Sequence, residues 1–173
     1  MNFRARVTYH GFESANSAAA SPITFHCNTF LDEIHYKLYY RHRDEDDIWV
    51  HCPHRSICHF LADDPNPVFE VNVASSEDFV TLQPGESWSA IIELDDELWN
   101  FPNNLQPGDV FRFVFTGATV VWWDWGSKDL VHTQTVVTAE DIPFGSVVDP
   151  ADNGGRPELV VPTSNQVEFA FAG

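Results

Sequence analysis

Apolar and polar residues alternate with a period of two along most of this chain. Phe3, Ala5, Val7 and Tyr9 alternate with Arg4, Arg6 and Thr8, and that period puts each set on its own face of a strand. Residues 23–30 and 34–41 read as two further strands. The second carries His35, Lys37, Tyr39 and Arg41 on one face and Ile34, Tyr36, Leu38 and Tyr40 on the other. Shorter strands follow at 48–52, 68–73, 79–82 and 88–94. Phe111, Phe113 and Phe115 then alternate with Val110, Arg112, Val114 and Thr116, which predicts a strand with three Phe side chains on its buried face. A hairpin around Gly117 would join this strand to 119–125. Residues 130–138, 159–161 and 167–171 complete the set. Pro84-Gly85 and Pro107-Gly108 punctuate it as type II turns, because Pro presets φ at one turn position and Gly tolerates a positive φ at the next.

No window sustains the i, i+3, i+4, i+7 apolar spacing of a helix, and 11 Pro interrupt the long ones. The expectation is therefore an all-β chain, an Ig-like β-sandwich of about 9–11 short strands with Greek-key connections. With 173 residues, it is expected to be one domain over residues 1–173. A chain of this size buries about 70% of its surface on folding, enough for a core without metals or disulfides.

Charge narrows the partners. The chain has 26 acidic and 9 basic residues, a formal net charge of −17. Phosphate backbones and anionic bilayers repel such a chain, so nucleic acid and membrane surfaces are excluded in favour of a protein or a neutral or cationic small molecule. No apolar run approaches the roughly 20 residues that span a bilayer. The N-terminal residues alternate and carry charge, unlike a signal peptide. These features place the chain in the cytoplasm, or outside the cell if a leader has been removed. Cys27, Cys52 and Cys58 are an odd set, so at most one pair closes. Cys52 with Cys58 is the local choice, and three reduced thiols are the alternative.

Two patches carry candidate chemistry. His51, Cys52, His54, Cys58 and His59 fall within nine residues, and zinc and copper take imidazole nitrogen and thiolate sulfur. Their spacing is too tight for all five to hold one ion. His51, His54 and Cys58, with His26 or His35 from a neighbouring strand, form the candidate set. Otherwise these histidines are ordinary exposed loop residues. The second patch is Trp122, Trp123 and Trp125, with His132 a few residues on. On a strand Trp123 and Trp125 share a face, which either fills the core or stacks on a sugar ring or other apolar ligand. The chain has no Gly-x-Ser-x-Gly, no phosphate loop and no dinucleotide fingerprint. The acidic pairs Asp63-Asp64 and Asp95-Asp96 suit solvated turns better than acid–base catalysis, since neighbours on a strand point to opposite faces.

Residues 79–117, FVTLQPGESWSAIIEL followed by LQPGDVFRFVFTG, resemble the "F-v-x-L-x-P-G-e-s … L-x-x-G-x-Y-x-V" pattern. It belongs to the propeptide and Ig-like accessory domains of fungal deuterolysin-type metallopeptidases. The matched residues are turn and core residues, and His-Glu-x-x-His is absent from the chain. The resemblance implies an Ig-like sandwich and a propeptide-like or inhibitor-like role without protease activity. The Trp-Trp-Asp-Trp-Gly and GRPELVVP segments are also similar to segments of filamentous-fungal proteins. The reading is a non-enzymatic binding or interaction protein. Its alternatives are a metal-binding protein or small metal-dependent enzyme built on the 51–59 loop with zinc or copper, and a carbohydrate-binding module using the tryptophans.

Overall fold

The computed structural model describes residues 1–11, 21–44, 48–55, 67–140 and 146–173. Among these the chain is all-β, with fourteen strands, three short 3-10 turns and no α-helix. No helix among them is long and apolar enough to cross a membrane. In chain order the strands are β1 (Asn2–Thr8), β2 (Ile23–His26), β3 (Tyr36–Arg41), β4 (Val50–Cys52), β5 (Val68–Asn72), β6 (Phe79–Leu82) and β7 (Ser87–Glu93). They continue with β8 (Val110–Phe115), β9 (Ala118–Val120), β10 (Trp123–Trp125), β11 (Val136–Glu140), β12 (Val147–Asp149), β13 (Leu159–Val161) and β14 (Val167–Ala170).

Every ladder is antiparallel. The largest sheet has the order β14-β8-β3-β4, and the others are β10-β2-β6, β12-β11-β5, β1-β7 and β13-β9. The main core draws Phe25, Tyr36, Leu38, Ile92, Trp99, Phe111, Phe113 and Phe115 from several of these sheets. A smaller core gathers Val73, Phe79, Trp122, Val137 and Val147. The three alternating Phe are all buried, and so is Val114 on the opposite face. Both Pro-Gly turns form, with φ of +87° at Gly85 and +98° at Gly108, a region in which only glycine is at ease.

Two expected strands are shorter than their apolar pattern. Residues 23–30 extend only to His26, and Cys27–Phe30 is a 3-10 turn. Asn28 holds it: its carbonyl accepts from Leu31 and Asp32 N–H, and its amide donates to Asp78 at 3.0 Å. The turn returns Phe30 to the core, edge-on to Phe25. Residues 34–41 start as a strand only at Tyr36, because the Asp32 carboxylate accepts from the Ile34 N–H and folds 33–35 into another 3-10 turn. From Tyr36 on, the expected inward face holds, with Tyr36 and Leu38 buried.

The expected hairpin around Gly117 does not form. Both edges of β8 are already taken, by β3 and β14, so β9 pairs with β13 and β10 with β2. Residues 130–138 also depart from expectation. Ser127 O accepts from the Leu130 and Val131 N–H, and the strand begins only at Val136.

Cys27 and Cys52 are buried, free thiols among the described residues; the pairing of Cys52 with Cys58 suggested by their spacing involves a residue outside them. Burial raises both thiols to about 11, which leaves them as unreactive apolar filling. Cys58 itself lies outside the described residues, as do His59 and the Asp63-Asp64 pair.

One carboxylate ties three segments together. Asp109, at the start of β8, is 1% exposed. It accepts from Gln106 N–H at 2.9 Å, Arg43 N–H at 3.1 Å and His42 Nδ1 at 3.2 Å. Its own carbonyl accepts from Phe171 N–H beyond β14. The Gln106 N–H is the main reason its pKa lies below the usual 3.8, with the Arg43 N–H and His42 adding to it. A carboxyl depressed in the fold contributes stability above its unfolded value and loses it as pH falls through the folded one. Asp109→Ala should therefore lower the urea midpoint at pH 7, with a deficit that shrinks below pH 4. An unchanged midpoint at pH 7 would refute the clasp.

Candidate functional site

The residues singled out in the sequence are scattered. His51 is exposed on β4, beside Tyr39. His54 forms an isolated bridge with Trp99, with ring centroids 3.8 Å apart. Its Nε2 lies 3.4 Å from Tyr36 O and its Nδ1 3.8 Å from Glu33 Oε2. His35 packs against Phe115, and His26 is buried on β2 against Phe79. Among the described residues no three His, Cys, Asp or Glu side chains come together to hold a metal.

The tryptophans do not form a platform. Trp122 is buried in the smaller core, edge-on to Phe79 and His132. Trp123 is buried in the larger one and donates its indole N–H to Pro157 O at 2.9 Å. Trp125 sits edge-on to Trp123 and alone of the three is exposed, at 40%. His132 is buried, with Nδ1 3.1 Å from Thr135 Oγ1 and Nε2 3.0 Å from Trp125 O.

An Asp–His pair of the kind used in acid–base chemistry does exist at Asp109 and His42. The carboxylate can only accept, so His42 Nδ1 donates. Its Nε2 then accepts from the Asn104 amide at 3.4 Å. With both nitrogens engaged by structural partners, the ring has no free lone pair to offer a substrate.

What the fold does assemble is a groove of about 500 Å³ along β1. Its floor is apolar: Ala5, Val7, Phe30, Phe113 and Phe115. Phe3 also lines it and packs against Phe113 at 4.8 Å and Phe169 at 5.2 Å. The segment after β13 lines it too, pinned where Ser164 N–H donates to Phe115 O and Ser164 Oγ accepts from Phe115 N–H.

The pairing of β1 leaves one of its edges open. Met1 and Leu94 exchange hydrogen bonds through both backbone groups, and Tyr9 N–H donates to Glu86 O. In the register Phe3↔Ile92, Ala5↔Ala90, Val7↔Trp88, the hydrogen-bonded positions are therefore the odd ones. Those between alternate with them. Asn2, Arg4, Arg6 and Thr8 thus turn their N–H and C=O groups away from β7, and among the described residues β1 has no second strand partner. Arg4 and Arg6 are exposed, line the groove and make no ion pair among the described residues. The alternation of Arg with Phe, Ala and Val was visible in the sequence. That this strand is an edge was not, because pairing is set by residues some eighty positions away.

The chain matches no family model, no curated protein and no solved structure.

Proposed function

We propose that this protein is a non-enzymatic binding module that takes an extended acidic peptide as an added strand on β1. The carrying observation is the β1 edge, open among the described residues, where Arg4 and Arg6 make no ion pair with any described residue and lie beside an apolar groove. An incoming strand gains main-chain hydrogen bonds from Asn2, Arg4, Arg6 and Thr8, the usual source of affinity in strand addition. Specificity follows from the pleat. Residues opposite Arg4 and Arg6 lie on their solvent face, where carboxylates pair best. The residues between them point inward, where the floor of the groove favours Val, Ile or Phe. The preferred partner therefore alternates acidic and apolar residues.

The same arginines discriminate against self-association. Two copies of β1 paired antiparallel about Ala5 would set Arg4 of one opposite Arg6 of the other, and facing like charges are destabilising. The net charge of −17 repels an acidic peptide at long range. At physiological salt the screening length is about 8 Å, so the two local guanidinium groups dominate.

The test is fluorescence anisotropy at about 0.15 M salt with a labelled peptide of alternating Glu and Val. This peptide should bind, and its Lys/Val counterpart should not. The double variant Arg4→Glu/Arg6→Glu should weaken binding by about tenfold or more, as two exposed ion pairs become two repulsions. Equal binding of both peptides, or no effect of the charge reversal, would refute the proposal. A concentration-dependent dimer in sedimentation, abolished by the Glu/Val peptide, would instead assign the edge to a second copy.

A further inference from the structure

We infer that the strand added to β1 carries one bulky apolar anchor, Phe in the first place, seated between Ala5 and Val167. The inference rests on the strand-addition reading. It narrows the partner to an acidic extended segment with a single large side chain at its centre.

The pairing of β1 with β7 decides which side chains would meet the incoming strand. Odd positions of β1 bond to β7, so the even ones are left to bond a newcomer. In an antiparallel addition Ala5 therefore falls at a non-hydrogen-bonded position. Facing residues come closest there, with Cα atoms about 4.5 Å apart. The inward residues of β1 are Phe3, Ala5 and Val7. Phe3 fills its own end of the groove, against Phe113 and Phe169. Ala5 has only a methyl group, and its partner on β7 is Ala90. The strand is hollow at its centre, where a facing residue has the most room.

The opposite wall shows the matching gap. Val167 lines the groove and faces Phe113 across the β14–β8 ladder. It lies two residues before Phe169, which packs on Phe3 and Phe111. A period of two puts Val167 on the same inward face. It is nevertheless 40% exposed, whereas Phe113 beside it is 5% exposed. An inward apolar residue left open on one side forfeits the contacts of a packed interior. A side chain that fills the hollow at Ala5 and extends to Val167 would supply them. The floor between the two walls includes Phe113 and Phe115, and ring–ring contact favours an aromatic over an aliphatic occupant.

The experiment compares the alternating Glu/Val peptide with a twin whose central Val is replaced by Phe, by anisotropy at about 0.15 M salt. The Phe twin should bind about tenfold more tightly. Its ring should give nuclear Overhauser effects to the methyl groups of Ala5 and Val167. Val167→Ser and Ala5→Val should each shrink the preference for Phe to about twofold or less. Should Ala5→Val fail to fold, Val167→Ser, at a solvent-exposed site, and the Overhauser effects decide. Equal affinity of the two peptides overturns the anchor and leaves strand addition standing. A ring that reaches neither methyl group, or a preference that survives Val167→Ser, does the same. Binding of neither peptide overturns both.

Discussion

Phe113→Ala should destabilise the fold by about 3–5 kcal/mol, the usual loss for a core aromatic truncated to a methyl group. Phe113 stacks on Tyr36 at 5.3 Å with an interplanar angle of 6°, and touches Phe3 at 4.8 Å and Trp99 edge-on at 6.0 Å. These partners belong to β3, to β1 and to the bend after β7, so the resulting cavity cannot collapse by moving one strand. Tyr36 is itself fixed, since its hydroxyl donates to Phe30 O at 2.8 Å. Urea denaturation at pH 7 measures the loss. Phe69→Ala serves as the control. Phe69 is 44% exposed, and its truncation should change stability far less. A loss below about 1 kcal/mol at Phe113 would contradict the core described here.

Acidification from pH 7 to pH 4 should cost the fold roughly 3 kcal/mol through His26 alone. Burial lowers this imidazole from 6.5 to about 4, and the nearby Asp78 carboxylate offsets only part of that shift. The unfolded chain takes up the proton near pH 6.5 and the folded chain only near pH 4. The neutral ring's contribution is thus complete above 6.5 and is lost at about 1.4 kcal/mol per pH unit through the window between. Replacing His26 with leucine removes the titrating group and keeps an apolar neighbour for Phe79. The stability difference between wild type and this variant should narrow or reverse by roughly 3 kcal/mol between pH 7 and pH 4. A difference that stays constant across that range would show that His26 titrates normally.

The sequence revealed strands more readily than strand pairing. The limits of β6, β8 and β13 follow directly from local alternation, and the burial of Phe111, Phe113 and Phe115 follows from the period of two. Alternation carries no information about which strands lie side by side. For that reason β8 was expected in a hairpin with β9, whereas it pairs with β3 and β14. The groove was hidden for the same reason, since Arg4 and Arg6 are informative only once β1 is known to be an edge. The histidine patch misled through its density. His51 and His54 are three residues apart, but His51 faces solvent while His54 lies on Trp99. The 3-10 turn at Cys27–Phe30 was masked by a stretch, TFHCNTF, whose alternation of polar residues with Phe25 and Cys27 reads as continuous strand. Asn28 and Asp32, two side chains that hydrogen-bond nearby groups, convert its second half and the residues after it into turns.

The long reach of the ladders bears on how the chain is made. Asn2 faces Glu93, Phe25 faces Trp123 and Phe113 faces Val167. Closing loops of this length uses up chain entropy before contacts repay it, which puts such topologies among the slow folders. During N-to-C synthesis β1 and β2 emerge long before their partners β7, β6 and β10, so both wait with bare edges, and β3 has only β4 beside it until β8 is made. The charge of −17 acts earliest here. It keeps nascent and partly folded chains apart through mutual repulsion, at the stage when unpaired edges are most prone to aggregation.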